Sequence, residues 1–405
     1  MAKKSRFFEK ALEKRKREIR AVYISTYIPR KCGIATYTKD LTNAINILNP
    51  KYLAEIMALD NPLEPVEYPW EVKFRIHRDR LEDYLAAADY LNRSSTQIVS
   101  LQHEYGIFGG KWGNYILTLT ERLKKPFVVT FHTVLADPPP LAREILRDLG
   151  QLSAAVIVMG KEAKKRVTEI YEVPEQKVVF IPHGVPDLTY GPTDQMKKAL
   201  KLGEGLILSS SNLVSPSKGL EYAILAMPKI LKKIPNARYF ILGETHPLYK
   251  AYQGEDYRKK LEDLVAKLKL EKKVIFVNRY LSLHNLVNFL KATDIFLTPY
   301  TNPDQVTSGS LAYAVGAGKV CISTPYLYAQ ELLADGRGIL VPFKNPKAIA
   351  EAVLEIASDK KKRKRIEKKA YAYGRQMIWA NVALQHLDLF SLVLNRSNEK
   401  ENNGN

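Results

Sequence analysis

Two short stretches carry the residue types that receive phosphate. Lys218 and Gly219, in SPSKGLEYAI, stand at the entry of a helical pattern. Thr307, Ser308, Gly309 and Ser310, in QVTSGSLAYAVGAGK, open another one after the run DIFLTPY. A lysine at a helix entry adds a point charge to the unpaired amides of the helix end. Hydroxyls and amides at the second start add neutral donors, and glycine lets the backbone approach a ligand closely. Two such starts in one half of the chain, one with lysine, point to a diphosphate group. The first half offers weaker signals. Gly33 precedes a helix in TYIPRKCGIATYTKDL, His103, Glu104, Tyr105 and Gly106 lie in QHEYGIFGGKWGN, and His132 ends FVVTFH. Glycine before a helix is ordinary turn chemistry, and a lone histidine is more often structural than catalytic. Two of seven histidines at neighbouring strand ends keep both a site and a structural role open.

The rest of the sequence narrows the chemistry. No GxxxxGK[ST], GxSxG, HExxH or D-x-D occurs, so a P-loop, a serine hydrolase, a zincin and a metal-centred sugar-nucleotide site all lack their motifs. No metal and no resident cofactor are expected. Cys32 and Cys321 have no CxxC or metal-ligand spacing, which argues against a disulfide or structural zinc. No apolar window reaches a membrane span, and the first twenty residues lack the apolar centre of a secretory leader, so a soluble cytoplasmic protein is expected. Of the net charge of +19, residues 1–20 and 359–369 each supply +6. Such blocks suit an anionic membrane surface or a phosphorylated substrate, although charge runs are mostly solvated faces. Phe8, Leu12 and Ile19 form a thin apolar stripe on the first of them. Peripheral contact with the inner membrane face is the partner this pattern allows. Nucleic acid is not expected, because no helix-turn-helix, zinc-finger or RNA-binding signature accompanies the charge.

The elements that must hold these loops follow from periodicity. β-Branched runs at 21–26, 53–59, 97–102, 127–132, 154–159 and 177–182 alternate with helical patterns such as 36–48, 81–91, 112–124 and 161–170. A second series runs through 206–211, 237–243, 273–278, 294–300, 319–324 and 338–343. Near-continuous apolar strands separated by helices mean parallel sheets covered on both faces. The fold class is therefore α/β with two doubly wound domains, divided within the strandless, Pro- and Gly-rich 183–205. In such sheets ligands bind beyond the carboxyl ends of the strands, where all the loops singled out above fall.

Taken in order, CGIATYTKDL, QHEYGIFGG, FHTVL, IPHGVP, SPSKGLE, THPLY, TSGSLAYAVGAGK and STPYLYAQELLADGRGILVP resemble a retaining glycosyltransferase of family 4, with the GT-B fold, over about residues 21–385. Each motif is weak singly; their number and order are specific. The resemblance implies two Rossmann-like domains facing a central cleft that takes a nucleoside-diphosphate sugar as co-substrate and a carbohydrate or glycolipid acceptor. It implies a basic helix over 1–20, an acceptor domain over 21–190, a nucleotide-sugar domain over 191–370 and a helix over 371–395 returning to the first domain. The polar 396–405 is expected to be disordered. By position, Lys218 becomes the diphosphate cation, Gly33 a donor-phosphate loop residue, His132 a residue lining the transferred sugar, and Glu331 an acid near the end of the donor site. His103, Glu104, Tyr105 and Gly106 join His132 in the acceptor and sugar pocket. Three departures stand out. No arginine precedes Lys218, and Gln305 and Tyr313 occupy positions where many members carry glutamates. A phenol cannot take ribose hydroxyls as a carboxylate does, so the donor is not inherited from the family. A hexosyl transfer, with mannosyl as one option, leads. A phosphate-dependent disaccharide phosphorylase or synthase and a catalytically silent nucleotide-binding scaffold remain as alternatives.

Overall fold

The structure is a computed structural model and describes residues 18–61, 65–211 and 213–403. The chain divides into two compact units, one running to Gly184 and resuming at Trp379, the other covering Val185–Ile378.

The first unit is built on a seven-stranded parallel sheet. Its strands are β1 (Ala21–Ser25), β2 (Glu55–Asp60), β3 (Val72–His77), β4 (Ile98–His103), β5 (Phe127–Phe131), β6 (Ala155–Val158) and β7 (Val178–Phe180), ordered β3-β2-β1-β4-β5-β6-β7. Tyr23 of β1 registers with Ile56 on one side and Ser100 on the other. Every residue of β1 and β4 is buried, as their apolar runs require. Strand β3 was not among the expected runs. Its sequence, VKFRIH, alternates polar and apolar because it is an edge strand with one wet face, so it lacks the continuous apolar signature. The helix Gly33–Leu48 packs against the final helix, Trp379–Asn403. Leu41 and Ile45 from the first meet a core that also takes Val382, Ala383, Leu387, Phe390 and Val393 from the second. That i, i+4 stripe is what draws the C-terminal segment into this unit.

The second unit carries β8 (Ile207–Ser211), β9 (Arg238–Leu242), β10 (Val274–Val277), β11 (Ile295–Thr298), β12 (Val320–Ser323) and β13 (Ile339–Leu340), all parallel and ordered β10-β9-β8-β11-β12-β13. The chain order reverses at β8, so the crevice beyond the ends of β8 and β11 is the topological switch point of the sheet. A buried carboxylate ties the strands to their cover. Asp294 accepts from Ile207 N at 2.7 Å and pairs with Lys197 at 2.6 Å and Arg363 at 2.8 Å. Two cations and an amide offset the cost of burying it.

Several boundaries differ from expectation. The division falls at Gly184–Val185 rather than 190/191, because Val185 is fully buried with Phe296 and Tyr300 and its amide bonds Met377 O at 2.8 Å. The returning helix starts at Trp379 rather than 371. Lys360–Gly374 forms a helix of its own, and Arg375–Met377 a short 3-10 turn after it. The segment read as a disordered tail continues the last helix to Asn403. The basic helix expected over 1–20 lies almost wholly outside the described residues. Of its apolar stripe, Ile19 is buried in the first unit, its carbonyl accepting from Asn49 Nδ2 at 2.7 Å. Among the described residues no helix is long and apolar enough to cross a membrane.

Candidate functional site

In the second unit three strand-end loops are stitched together. Val214, after β8, forms a parallel bridge with Thr245, after β9, through Val214 N to Glu244 O and His246 N to Val214 O, both 2.9 Å. The loop after β8 is also bound to the loop after β11, through Thr301 N to Ser217 O at 3.0 Å. Lys218 closes a one-turn 3-10 helix, and Gly219 turns the chain with φ of +57° into the helix Leu220–Leu231. A Cβ on Gly219 would lie 2.1 Å from Pro299 O, so glycine is required both for the turn and for the close approach of the two loops.

Lys218 Nζ sits 4.4 Å from the centroid of the Tyr300 ring. No carboxylate pairs with it among the described residues. An ammonium resting on an aromatic face keeps its charge available to an incoming anion. Ser308 caps the helix Gly309–Gly316, its hydroxyl accepting from Leu311 N at 3.3 Å. The amides of Gly309 and Ser310 thus open that helix, with Thr307 just ahead and half-buried. Gln305 donates to Thr307 O at 2.8 Å, bracing the approach to the cap. His246 joins the group: burial, and then the charge of Lys218, lowers its pKa.

The other expected residues of this unit stand apart. Tyr313 is 7% exposed and packs in the core with Leu311 and Val315. Glu331, on the helix Leu327–Leu332, is half-buried; its carbonyl accepts from Arg337 at 2.7 Å, and its charge acts on Tyr373.

In the first unit His132 belongs to a ring cluster centred on Tyr37. Tyr37 stands edge-on to His132 at 4.8 Å and also meets His183 at 5.2 Å and Trp379 at 5.3 Å. His132 Nε2 lies 3.0 Å from Gln102 Oε1, which fixes the proton on Nε2 and leaves Nδ1 as an acceptor. Burial, with His183 and His103 nearby, lowers its pKa to about 3, so the ring is neutral near pH 7. His183 donates from Nδ1 to Gly184 O at 2.7 Å, and burial lowers its pKa to about 4.

His103 is not at a pocket surface. It is fully buried, stacked on Phe108 at 5.5 Å and edge-on to Tyr105 and Phe131, with its pKa lowered by burial to about 3. Tyr105 is likewise buried, its hydroxyl donating to Ala142 O at 3.2 Å. Glu104 accepts from Thr133 Oγ1 at 2.6 Å and Tyr105 N at 3.0 Å, and burial raises its pKa. Gly106 is exposed, and a Cβ there would meet nothing within 4 Å. The same holds for Gly33, which begins its helix beside the Cys32 thiol cap at 3.3 Å from Ala35 N. Among the described residues no group of three or more His, Cys, Asp or Glu forms a metal cage.

Tyr37, Gln102, His183, His246 and Tyr300 were not singled out from sequence. Tyr300 and His183 were within reach, since Tyr300 ends the expected strand 294–300 and His183 directly follows that of 177–182. Tyr37 and Gln102 carry no local signal, being one residue of a helix and one of a strand.

Comparison with known proteins agrees with this architecture. The family model described as glycosyl transferases group 1 matches residues 192–373, and that described as glycosyltransferase family 4 matches residues 55–187. An uncharacterised glycosyltransferase of Methanocaldococcus jannaschii is 28% identical over 251 residues, 60% of this chain and 61% of the relative. The curated relatives are matched over less than two thirds of their own length. Sucrose-phosphate synthase from Thermosynechococcus elongatus superposes with a TM-score of 0.76 at 16% identity, covering 93% of this chain and all of that one. Anabaena HepE, solved with UDP-glucose, gives 0.69 at 16% identity over 92% and 99% of the two chains. The two family models together span well over half of the sequence, and with its two parallel-sheet units the chain belongs to glycosyltransferase family 4, with the GT-B fold.

Proposed function

We propose that this protein is a retaining glycosyltransferase that moves a hexosyl group from a nucleoside-diphosphate sugar to a carbohydrate or lipid-linked acceptor without a bound metal. The observation that carries this is Lys218, an ammonium without a carboxylate partner among the described residues, held against Tyr300 beside the Ser308-capped helix start at the switch point of the sheet. Breaking the bond between the anomeric carbon and phosphate builds negative charge on the leaving diphosphate, and fixed positive groups aimed at that charge lower the barrier. Lys218 and the amides of Ser308 to Ser310 supply them. The acceptor attacks from the face the phosphate leaves, and the phosphate oxygen takes the acceptor's proton. His132, neutral and with Nδ1 free to accept, suits a sugar hydroxyl and is not an acid near pH 7. Its role is to orient the sugar. The UDP-glucose bound by Anabaena HepE supports a nucleotide-sugar donor as a class. Gln305 and Tyr313 stand where the family resemblance expects glutamates, so the base is not inherited from the family.

The test is a screen of UDP-, GDP- and ADP-sugars by thermal shift and transfer, with and without chelator. A ligand of the folded state raises Tm by mass action. One nucleotide series should raise Tm equally in EDTA, and His132→Ala should lose transfer while its nucleotide affinity stays nearly intact. Phosphate-dependent release of sugar phosphate, or no shift with any nucleotide, would overturn the transferase assignment.

Membrane contact belongs to the same proposal. Lys361, Lys364, Arg365 and Lys368 line one exposed face of the helix Lys360–Gly374 and carry no ion pairs among the described residues. The protein should sediment with anionic vesicles at low salt and be released near physiological salt, where the screening length shortens to about 8 Å. Failure to sediment at low salt removes the lipid-surface role.

A further inference from the structure

We propose that Tyr300 is the positioning residue of the phosphate site, fixing the Lys218 ammonium beside the helix start capped by Ser308; this rests on the donor-site assignment above. A lysine side chain turns about four bonds, so an ammonium with nothing to hold it is poorly placed to meet one point in space. Among the described residues no carboxylate holds Lys218, and its ammonium rests on the ring of Tyr300 at 4.4 Å.

Tyr300 has little freedom of its own. It is 1% exposed, its ring stacks on Tyr326 with centroids 5.0 Å apart and planes 13° from parallel, and its hydroxyl lies 3.5 Å from Ser308 Oγ, the long end of a hydrogen bond. The backbone on either side is pinned as well. Pro299 O abuts Gly219, and Thr301 N bonds Ser217 O. One immobile ring therefore meets both halves of the anion site, the cation after β8 and the helix cap after β11. A carboxylate in its place would hold Lys218 but neutralise it, and an aliphatic side chain would release it. An aromatic face holds the cation and leaves its charge unspent.

The variants Tyr300→Phe and Tyr300→Leu separate ring from hydroxyl. Calorimetric titration with UDP, GDP and ADP should show the best-bound nucleotide weakened about tenfold in Tyr300→Leu, and within about threefold of wild type in Tyr300→Phe. A folded Tyr300→Leu protein that binds as tightly as wild type overturns the proposal. So does a folded Tyr300→Phe protein as weak as the leucine variant. A second readout needs no nucleotide. After reductive ¹³C-methylation of lysines, the signal assigned to Lys218 by its loss in Lys218→Arg should be ring-shifted in wild type and Tyr300→Phe and unshifted in Tyr300→Leu. An unshifted wild-type signal overturns the positioning. A ring-shifted signal in a protein that binds none of the three nucleotides supports the positioning and overturns the donor-site assignment instead.

Discussion

Lys218→Ala is expected to lower transfer at saturating donor by on the order of 100-fold, the usual consequence of removing a group aimed at developing charge. The loss should fall mainly on kcat, because the charge on the leaving diphosphate grows as the anomeric bond stretches and the ammonium is worth most at that point. Folding should be little affected. Lys218 makes no ion pair among the described residues, and its contact with Tyr300 is a cation on a ring at 4.4 Å, of about 0.5–1 kcal/mol where partly exposed. A purified variant with wild-type Tm and undiminished turnover would remove Lys218 from the mechanism. Lys218→Arg should recover only part of the rate, since a broad planar guanidinium spreads its charge and cannot put it at the point the compact ammonium occupies. Measuring kcat and KM for all three proteins separates transition-state stabilisation from simple donor binding.

The second large effect is acid lability concentrated in the first unit. His103, His132 and His386 have their pKa lowered by burial to about 3, and His183 to about 4, and all four lie in the first unit. The sign follows directly. Above the ordinary pKa of 6.5 both folded and unfolded chains hold these rings neutral, and their burial costs nothing in protons. As pH falls below 6.5 the unfolded chain takes up protons that the folded chain refuses, so stability is lost progressively down to about pH 4 to 3. At pH 5 each ring contributes a loss of about 2 kcal/mol, so four of them approach the total stability of an ordinary domain. Glu104, whose pKa is raised by burial, works in the opposite sense and offsets part of this. Trp70, Trp112 and Trp379 all belong to the first unit, so tryptophan fluorescence reports on it alone. The fluorescence transition should fall between pH 6 and 4, ahead of the full loss of far-ultraviolet circular dichroism. His386→Leu should move it to lower pH, because neither ring nitrogen of His386 has a partner among the described residues and the side chain is wholly inside the core. A midpoint below pH 4, or one that His386→Leu leaves in place, would show that these histidines do not govern acid unfolding.

Some of this was legible in the sequence because it is written in local patterns. Short β-branched apolar runs alternating with helical patterns mark doubly covered strands, so twelve of the thirteen strands and the parallel α/β class follow from the sequence. Strand β3 escaped because an edge strand needs only one dry face. Gly219 was legible as a helix-entry glycine, and Ser308 as a residue at a helix start, because turns and caps are chosen by the chain's own backbone over a few residues. The end of the chain was misread for the complementary reason: polar residues 396–403 stay helical as an extension of a helix whose earlier turns, Val382 to Val393, bury their apolar stripe against Leu41 and Ile45. What only the tertiary structure decided are the meetings between residues distant in sequence. Lys218 lies on Tyr300, Tyr37 joins His132, His183 and Trp379, and His103 turns inward onto Phe108 while His132 keeps a free acceptor. Sequence determined which residues stand at the strand ends; which of them face one another, and with what charge state, depended on strand order and burial, which no local pattern encodes.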